Sequence, residues 1–475
     1  MKPDYLRHIL TVGSGGATAQ ALTVITMPII TRLYSPEAYA GWALLMSVVI
    51  IFTSIATLRY ELAVVLPSTH EEAANVMGVC FFVTGTIAAL AALLVPVSGT
   101  WLLGEGFYGE LRLWLWYVPP LIVATGIYQA CNSWCTRTLE FRWYSLAQVA
   151  LPLLTISAQI AAAFLGWRSS SGLITGTLVG QFSALLLLLV LISRKYGTLM
   201  TQALSQERFK QSFFKYKVYP FYMTPYTLIG TIRDRLVYFL LANFGGKSGV
   251  GFYNLSSRLA NMPNSLLSSA IRPVFFQKAA STDFKSLEGV INRALRALTI
   301  CVIPFWILFL FQAKTLFALV FGEPWREAGL YAAILSVPAI PLLLGNWLDR
   351  SFDVLGRQRL AFALEAIFSA ISVGVLTLGI VAFKSALLGI SLQAGALTLY
   401  YSYWLYALFR AAGFARGGLL KLILLASSIG LLFAGFVWFL SSSLSILPAV
   451  TIAGSTAAIG VSAYLLRQWR DLKLE

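Results

Sequence analysis

Charge is scarce in this sequence: 11% of its 475 residues are Asp, Glu, Lys or Arg, whereas 58% are hydrophobic. A water-soluble chain would carry about a quarter charged residues, so the composition excludes an ordinary soluble domain and makes lipid the solvent for most of the chain. Acid is scarcer still, with 19 Asp and Glu against 35 Lys and Arg and a formal net charge of +16. Nucleic acid is not the implied partner, because that would need a basic patch on a folded aqueous surface. Here the basic residues sit in short segments between apolar runs. Only two histidines occur, His8 and His70, both far in sequence from the closely spaced pair Cys131 and Cys135; Cys80 and Cys301 are the other cysteines. Too few ligands lie together for a metal centre, and the cysteines, all within apolar stretches, read as buried, inert thiols. A glycine-rich phosphate loop of the Walker type is also missing, which argues against direct ATP use. The first apolar stretch runs on to Ile30, longer than a signal-peptide core, and reads as a membrane helix.

Long apolar runs are what the sequence has in abundance. A membrane helix needs roughly 20 mostly apolar residues, and about fourteen segments qualify: 5–31, 38–64, 73–97, 113–136, 143–166, 172–193, 219–243, 249–275, 292–313, 328–354, 358–382, 386–409, 417–440 and 447–466. The implied fold class is all-α and polytopic, because open strands would leave backbone groups unpaired in lipid. Basic residues alternate accordingly. Lys2 and Arg7, Arg137 and Arg142, the cluster Arg194–Lys217, Lys278–Arg296, Arg357 and Arg359, Arg410–Lys421 and Arg467–Lys473 fall on one side. That bias places both termini in the cytoplasm. The basic stretch 196–218, which carries a short amphipathic surface helix in this reading, separates a six-helix block 1–195 from a second, 219–410, and two further helices fill 411–475. A faint repeat spans the divide, matching Gly41, Leu45 and Ser47 with Gly251, Leu255 and Ser257. Transporters are commonly built from such repeats.

Several charges fall inside these segments: Arg59 and Glu61; Arg233, Asp234 and Arg235; Arg258; Asp349, Arg350 and Asp353; and Glu365. Each would cost about 2.5–3.5 kcal/mol at a lipid-exposed helix centre, so they must face one another or a water-filled cavity. On regular helices Arg59 and Glu61 point apart, as do Asp234 and its two neighbours; only Arg350 and Asp353 have i,i+3 spacing. The central set holds Arg233, Arg235 and Arg258 against Asp234. A cation surplus of this kind suits an anionic ligand, and arginine suits phosphate through its planar fork. Interhelical packing pairs are the alternative reading. Glu365, Asp234 and Glu61 are candidates for ion coupling, with a proton or sodium as the ion and no other cofactor. Prolines inside the segments are candidate hinges or static kinks. The run Tyr400, Tyr401, Tyr403, Trp404 and Tyr406 reads as an interfacial aromatic belt, favoured by its place near a helix end, with stacking on sugars as the alternative.

Four stretches carry a family resemblance: PIITRLYSPEAYAG from Pro28, LRYELAVVLP from Leu58, GFYNLSSRLANMPNSLL from Gly251 and LVFGEPWREAG from Leu319. With Leu355–Arg359 they resemble Wzx-type polysaccharide flippases of the multidrug/oligosaccharidyl-lipid/polysaccharide exporter superfamily. The resemblance implies two six-helix bundles forming a V around a central cavity and working by alternating access in a bacterial inner membrane. It implies a transporter, not an enzyme, moving undecaprenyl-pyrophosphate-linked oligosaccharide to the periplasmic leaflet for lipopolysaccharide or exopolysaccharide export. Its partners would be the lipid-linked oligosaccharide, membrane lipids, and a polysaccharide polymerase with its assembly proteins. The third stretch is also similar to lipid II flippases, in which an arginine before a helix proline is functional; Arg258 before Pro263 matches that position. On this reading Arg258 binds the substrate's pyrophosphate, with Arg233, Arg235 and Arg59 as assisting candidates through charge matching, and by the resemblance the last two helices form a groove for the lipid tail. A cation-coupled multidrug exporter of the same superfamily would favour a carboxylate-rich cavity. A membrane polymerase or ligase would need a large extracytoplasmic loop with catalytic residues, and the longest such connection, Ser98–Arg112, is short.

Overall fold

The computed structural model describes residues 3–101, 112, 114–244, 246–281, 284–348, 351–443 and 446–474. Every described regular element is helical. The longer α-helices are α1 (Pro3–Leu33), α2 (Pro36–Thr53), α3 (His70–Trp101), α4 (Val118–Arg137), α5 (Phe141–Phe164), α6 (Ser170–Ala203), α7 (Gln206–Lys215), α8 (Thr224–Phe244), α9 (Lys247–Ser281), α10 (Glu288–Phe321), α11 (Ala328–Gly345), α12 (Gln358–Thr377), α13 (Ala386–Ala411), α14 (Arg416–Ser443) and α15 (Ile446–Leu474). Each of the fourteen expected segments overlaps one of them. Eight among the described residues are long and apolar enough to cross a membrane. Helix α8, with three charges inside it, is not one of the eight.

The chain forms two compact units, Met1–Asn254 and Leu255–Glu475. Their division falls inside α9, whereas the sequence repeat divides at the basic stretch 196–218.

In the first unit, α5 packs on α1 and α6. Gly172, Gly176 and Gly180 lie one turn apart on α6, and they let its backbone approach α5 closely. A Cβ at Gly180 would fall 2.7 Å from the Thr155 Cα, and one at Gly176 would fall 2.8 Å from the Gln159 backbone nitrogen. Small residues at this spacing serve association in membranes, where no hydrophobic drive holds helices together. The stretch from Pro28 to Gly41 is a helix–turn–helix with its own locks. Tyr34, 1% exposed, donates to the Gln159 carbonyl at 2.7 Å. Ser35 caps α2 by accepting from the Ala38 amide, and Pro36 occupies the first turn. The expected surface helix is α7. Arg208 and Lys215 on it pair with Glu71 and Glu72 at 3.0 and 2.6 Å, tying the basic stretch to the start of α3. Cys80, Cys131 and Cys135 are fully buried in this unit's core.

The second unit has one core around Phe275, Trp347, Phe352, Tyr400 and Phe409 and a smaller one where α14 and α15 meet α10. The LVFGEPWREAG stretch is structural. Gly322 has φ +101°, Trp325 is fully buried, and a Cβ at Gly329 would meet the Ala313 carbonyl carbon at 2.6 Å. Glu323 accepts from Arg326 at 2.5 Å, and that bond holds its carboxyl below the usual range.

One expected element breaks early. Helix α2 ends at Thr53, not near residue 64. The Thr53 and Ser54 hydroxyls donate to the Ile50 and Ile51 carbonyls, so they compete with continuation of the helix. A turn with Leu58 at φ +47° and Arg59 at φ +64° then leads into a 3₁₀ segment, Tyr60–Val65.

Candidate functional site

The break after α2 rearranges the charges expected there. Successive left-handed residues other than glycine cost about 1–2 kcal/mol each, and here they fold the chain so that Arg59 turns back on Glu61. The regular-helix expectation that Arg59 and Glu61 point apart is therefore overturned: Arg59 Nη1 lies 3.1 Å from Glu61 Oε1. Glu61, only 5% exposed, also accepts from the Thr57 hydroxyl. The remaining donors of Arg59 reach across to α8, where Nε and Nη2 both meet the Thr227 hydroxyl, at 3.1 and 3.0 Å. Arg137 steadies the next turn by donating to the Val65, Pro67 and Thr69 carbonyls.

Thr227 opens a polar face on α8. Thr227, Thr231, Asp234 and Tyr238 follow i, i+4, i+7 and i+11 spacing and share that face. Asp234 is a second correction, because it is paired within its own helix: Arg233 Nε reaches Asp234 Oδ1 at 2.8 Å. The long arginine side chain wraps to its neighbour, which a Cβ-direction argument misses. Arg235 stacks its guanidinium over the Tyr238 ring at 5.5 Å, and its buried Nε has no hydrogen-bond partner among the described residues. One unit thus gathers Arg59, Glu61, Arg233, Asp234 and Arg235 around α8, three cations against two carboxylates.

Arg258 and Glu365 belong to the second unit. Arg258 is exposed on α9, on one face with Asn261 and Ser265. Glu365 lies on α12 and accepts from Ser369 at 3.3 Å and from the Tyr400 hydroxyl of α13. Helix α12 is two-sided. Leu360, Ile367 and Ile371 form an exposed apolar stripe, and Glu365, Ser369 and Ser372 lie on the opposite face. Further along the same helix pair, Ser372 Oγ and Gln393 Oε1 are buried without hydrogen-bond partners among the described residues. Tyr400 departs from the interfacial-belt reading, because it is 7% exposed and its ring packs 5.2 Å from Phe368; Tyr403, 47% exposed, fits that reading better. Asp349 and Arg350 lie outside the described residues, as does the side chain of Asp353.

Sequence reasoning did not identify Thr57, Thr227, Tyr238 or Tyr400 as partners of the expected charges. A period-3.6 reading of α8 picks out Thr227 and Tyr238 on the face of Asp234. Nothing local in the sequence points to Tyr400.

The profile of the polysaccharide biosynthesis protein family matches residues 29–329, more than half of the chain. Comparison with curated protein sequences finds no match. Among solved structures, the chain is similar to the lipid II flippase MurJ in an inward closed conformation, with TM-score 0.69, 15% identity, and coverage of 98% of this chain and 99% of that one. It is also similar to the MATE multidrug transporter DinF-BH, solved as a ligand complex, with TM-score 0.61, 16% identity and coverage of 87% and 98%. An inward-facing multidrug resistance MATE family transporter of the MOP superfamily aligns with TM-score 0.55, 15% identity and coverage of 82% and 96%. At these identities the likeness is one of fold, and it covers nearly the whole of each relative. The chain is a multi-pass α-helical membrane protein that belongs to the polysaccharide biosynthesis protein family, with the fold of flippases and transporters.

Proposed function

We propose that the protein flips a polyprenyl-pyrophosphate-linked oligosaccharide from the cytoplasmic to the periplasmic leaflet of a bacterial inner membrane by alternating access, with both its termini in the cytoplasm. The observation that carries this reading is the arginine surplus gathered at α8 and the turn after α2 in one unit, with Arg59, Arg233 and Arg235, and Arg258 on α9 in the other. Desolvated arginines are costly in lipid unless they serve an anion or a water-filled path, and a pyrophosphate is an anion suited to their planar donors. Family membership favours a saccharide-bearing lipid over a drug cation. Glu365 is the candidate coupling carboxylate, because it lies inside α12 on hydroxyl donors and a carboxyl so placed can carry a proton through a cycle. Vesicles reconstituted with the purified protein and a fluorescent lipid-linked oligosaccharide test the proposal. Protein-dependent loss of outer-leaflet label under a proton or sodium gradient is expected, and no loss beyond empty vesicles overturns it. Glu365→Gln is expected to remove the gradient dependence while leaving insertion intact; unchanged gradient-driven flipping removes Glu365 from the mechanism.

A further inference from the structure

Helix α9 has two unlike faces. Arg258, Asn261 and Ser265 are exposed on one. Leu259, Ala260, Pro263 and Asn264 lie on the opposite one, where they form one wall of a partly open cavity of about 540 Å³ whose other walls are α10 and α11. At 3.6 residues per turn the two sets are centred nearly half a turn apart.

The other walls come from the middle of α10 and α11, notably Cys301, Phe305, Trp306, Phe309 and Ala339. Both helices lie within candidate membrane spans, Phe284–Phe321 and Ala328–Leu348, so the cavity lies at the depth of lipid chains. Its polar side chains are few, and Ser336, Trp306 and Asn264 already bond to protein. Ser336 Oγ accepts from Trp306 Nε1 at 2.9 Å and donates to the Ala333 carbonyl at 2.6 Å. Asn264 Oδ1 accepts from Asn346 at 3.1 Å. A polar ligand would find few partners, and water would be held by too few hydrogen bonds. Hydrocarbon satisfies such a site, and the volume is in the range that holds a sizeable ligand. The last two helices do not fill it. They pack on another face of α10, where Leu308 meets Val437, Leu440 and Ala453.

We infer that this cavity holds a length of the polyprenyl chain of the lipid-linked substrate, with α9 as the partition between headgroup and tail. The inference rests on the flippase reading. A flippase must pass a charged headgroup through a polar path while its chain stays in hydrocarbon, and a helix with an arginine face and a hydrocarbon-pocket face keeps the two apart. A helix with its side chains is about 10–12 Å across, a distance that a long polyprenyl chain spans readily. Flat, methyl-branched isoprene units also suit walls built from Phe305, Trp306 and Phe309. On this view the tail site lies on α9–α11 and not in a groove of the last two helices.

The test uses the full chain in phosphatidylethanolamine–phosphatidylglycerol vesicles containing a minor fraction of undecaprenyl phosphate. Phe305 is replaced by p-benzoylphenylalanine; a control protein carries the same replacement at Leu432, an α14 residue that is 77% exposed. After irradiation, mass spectrometry of the adducts distinguishes prenyl from acyl chains. Prenyl adducts are expected to be enriched at position 305 about tenfold over position 432, which corresponds to ~1.4 kcal/mol of preference. Ala339→Trp, and the milder Ala339→Leu should the first not fold, is expected to reduce that enrichment to the control level while pyrophosphate binding persists. Equal lipid profiles at the two positions, or acyl adducts dominating at 305, overturn the inference. If that occurs in vesicles that still flip lipid-linked oligosaccharide, the proposed function stands without the tail site. Prenyl enrichment in protein that flips nothing keeps the tail site and overturns the function.

Discussion

A single arginine side chain is the smallest unit on which the transport reading can be tested. Arg258→Lys keeps the charge but loses the bidentate fork, and Arg258→Ala loses both. Flipping per inserted protein is therefore expected to fall in the order wild type, Lys, Ala. Wild-type flipping by Arg258→Ala would make Arg258 a packing residue. Arg59 and Glu61 make a different case, because each depends on the other. With Glu61 5% exposed, Arg59→Ala leaves a buried carboxylate with only the Thr57 hydroxyl. Breaking a buried pair costs about 3–5 kcal/mol, and the 29% exposure of the Arg59 side chain places the expected loss below that range. The double variant Arg59→Ala/Glu61→Ala is expected to be less destabilised than the sum of the single ones, by about 0.5–3 kcal/mol. Thermal unfolding in detergent measures the cycle; simple additivity would mean the ion pair contributes nothing.

Among the helices, α5 and α6 depend on closeness. Their approach at Gly176 and Gly180 leaves no room for a side chain against the Thr155 and Gln159 backbones. Gly180→Leu is expected to lower stability by at least about 1–3 kcal/mol, the usual cost of overpacking, since backbone cannot yield as a flexible side chain would. Gly85, with nothing within 4 Å of its would-be Cβ, is the control, and Gly85→Ala is expected to change the unfolding temperature little. Equal sensitivity at the two positions would mean that the α5–α6 contact does not limit stability. The π-helical turns Tyr219–Met223 before α8 and Leu378–Ala382 after α12 are insertions of the kind often found at functional sites; both adjoin helices that carry the candidate charges.

At the scale of the whole molecule, the proposed topology of fourteen helical segments with cytoplasmic termini makes a prediction about sidedness. Reporter fusions are expected to read cytoplasmic after Arg208 and after Lys473 and periplasmic after Glu323. The reason is the concentration of Lys and Arg on alternate connections. A periplasmic reading at Lys473 would require an odd number of crossings and would refute that topology.

The sequence by itself determined the solvent, the secondary structure and the family. Scarce charge and long apolar runs leave helices as the backbone arrangement that pairs every amide in lipid, and the structure has a helix in each expected segment. The amphipathic α7 was legible for the same local reason. The candidate site residues were legible as misplaced charges, because a charge in an apolar run stands out whatever surrounds it. Their partners were not. Arg59 was assigned to a regular helix, and only the left-handed turn at Leu58 and Arg59 brought it to Glu61 and to Thr227, 168 positions away. Tyr400 was read as an interfacial ring until the packing of α12 on α13 placed its hydroxyl on Glu365. The cavity beside α9 had no signature either, since its wall of Leu, Ala, Pro, Phe and Trp is what any membrane helix carries. Periodicity and composition act within a few turns of the chain, whereas which charge is neutralised, and where a hollow remains, depends on how separate helices meet, and that the tertiary structure alone decided.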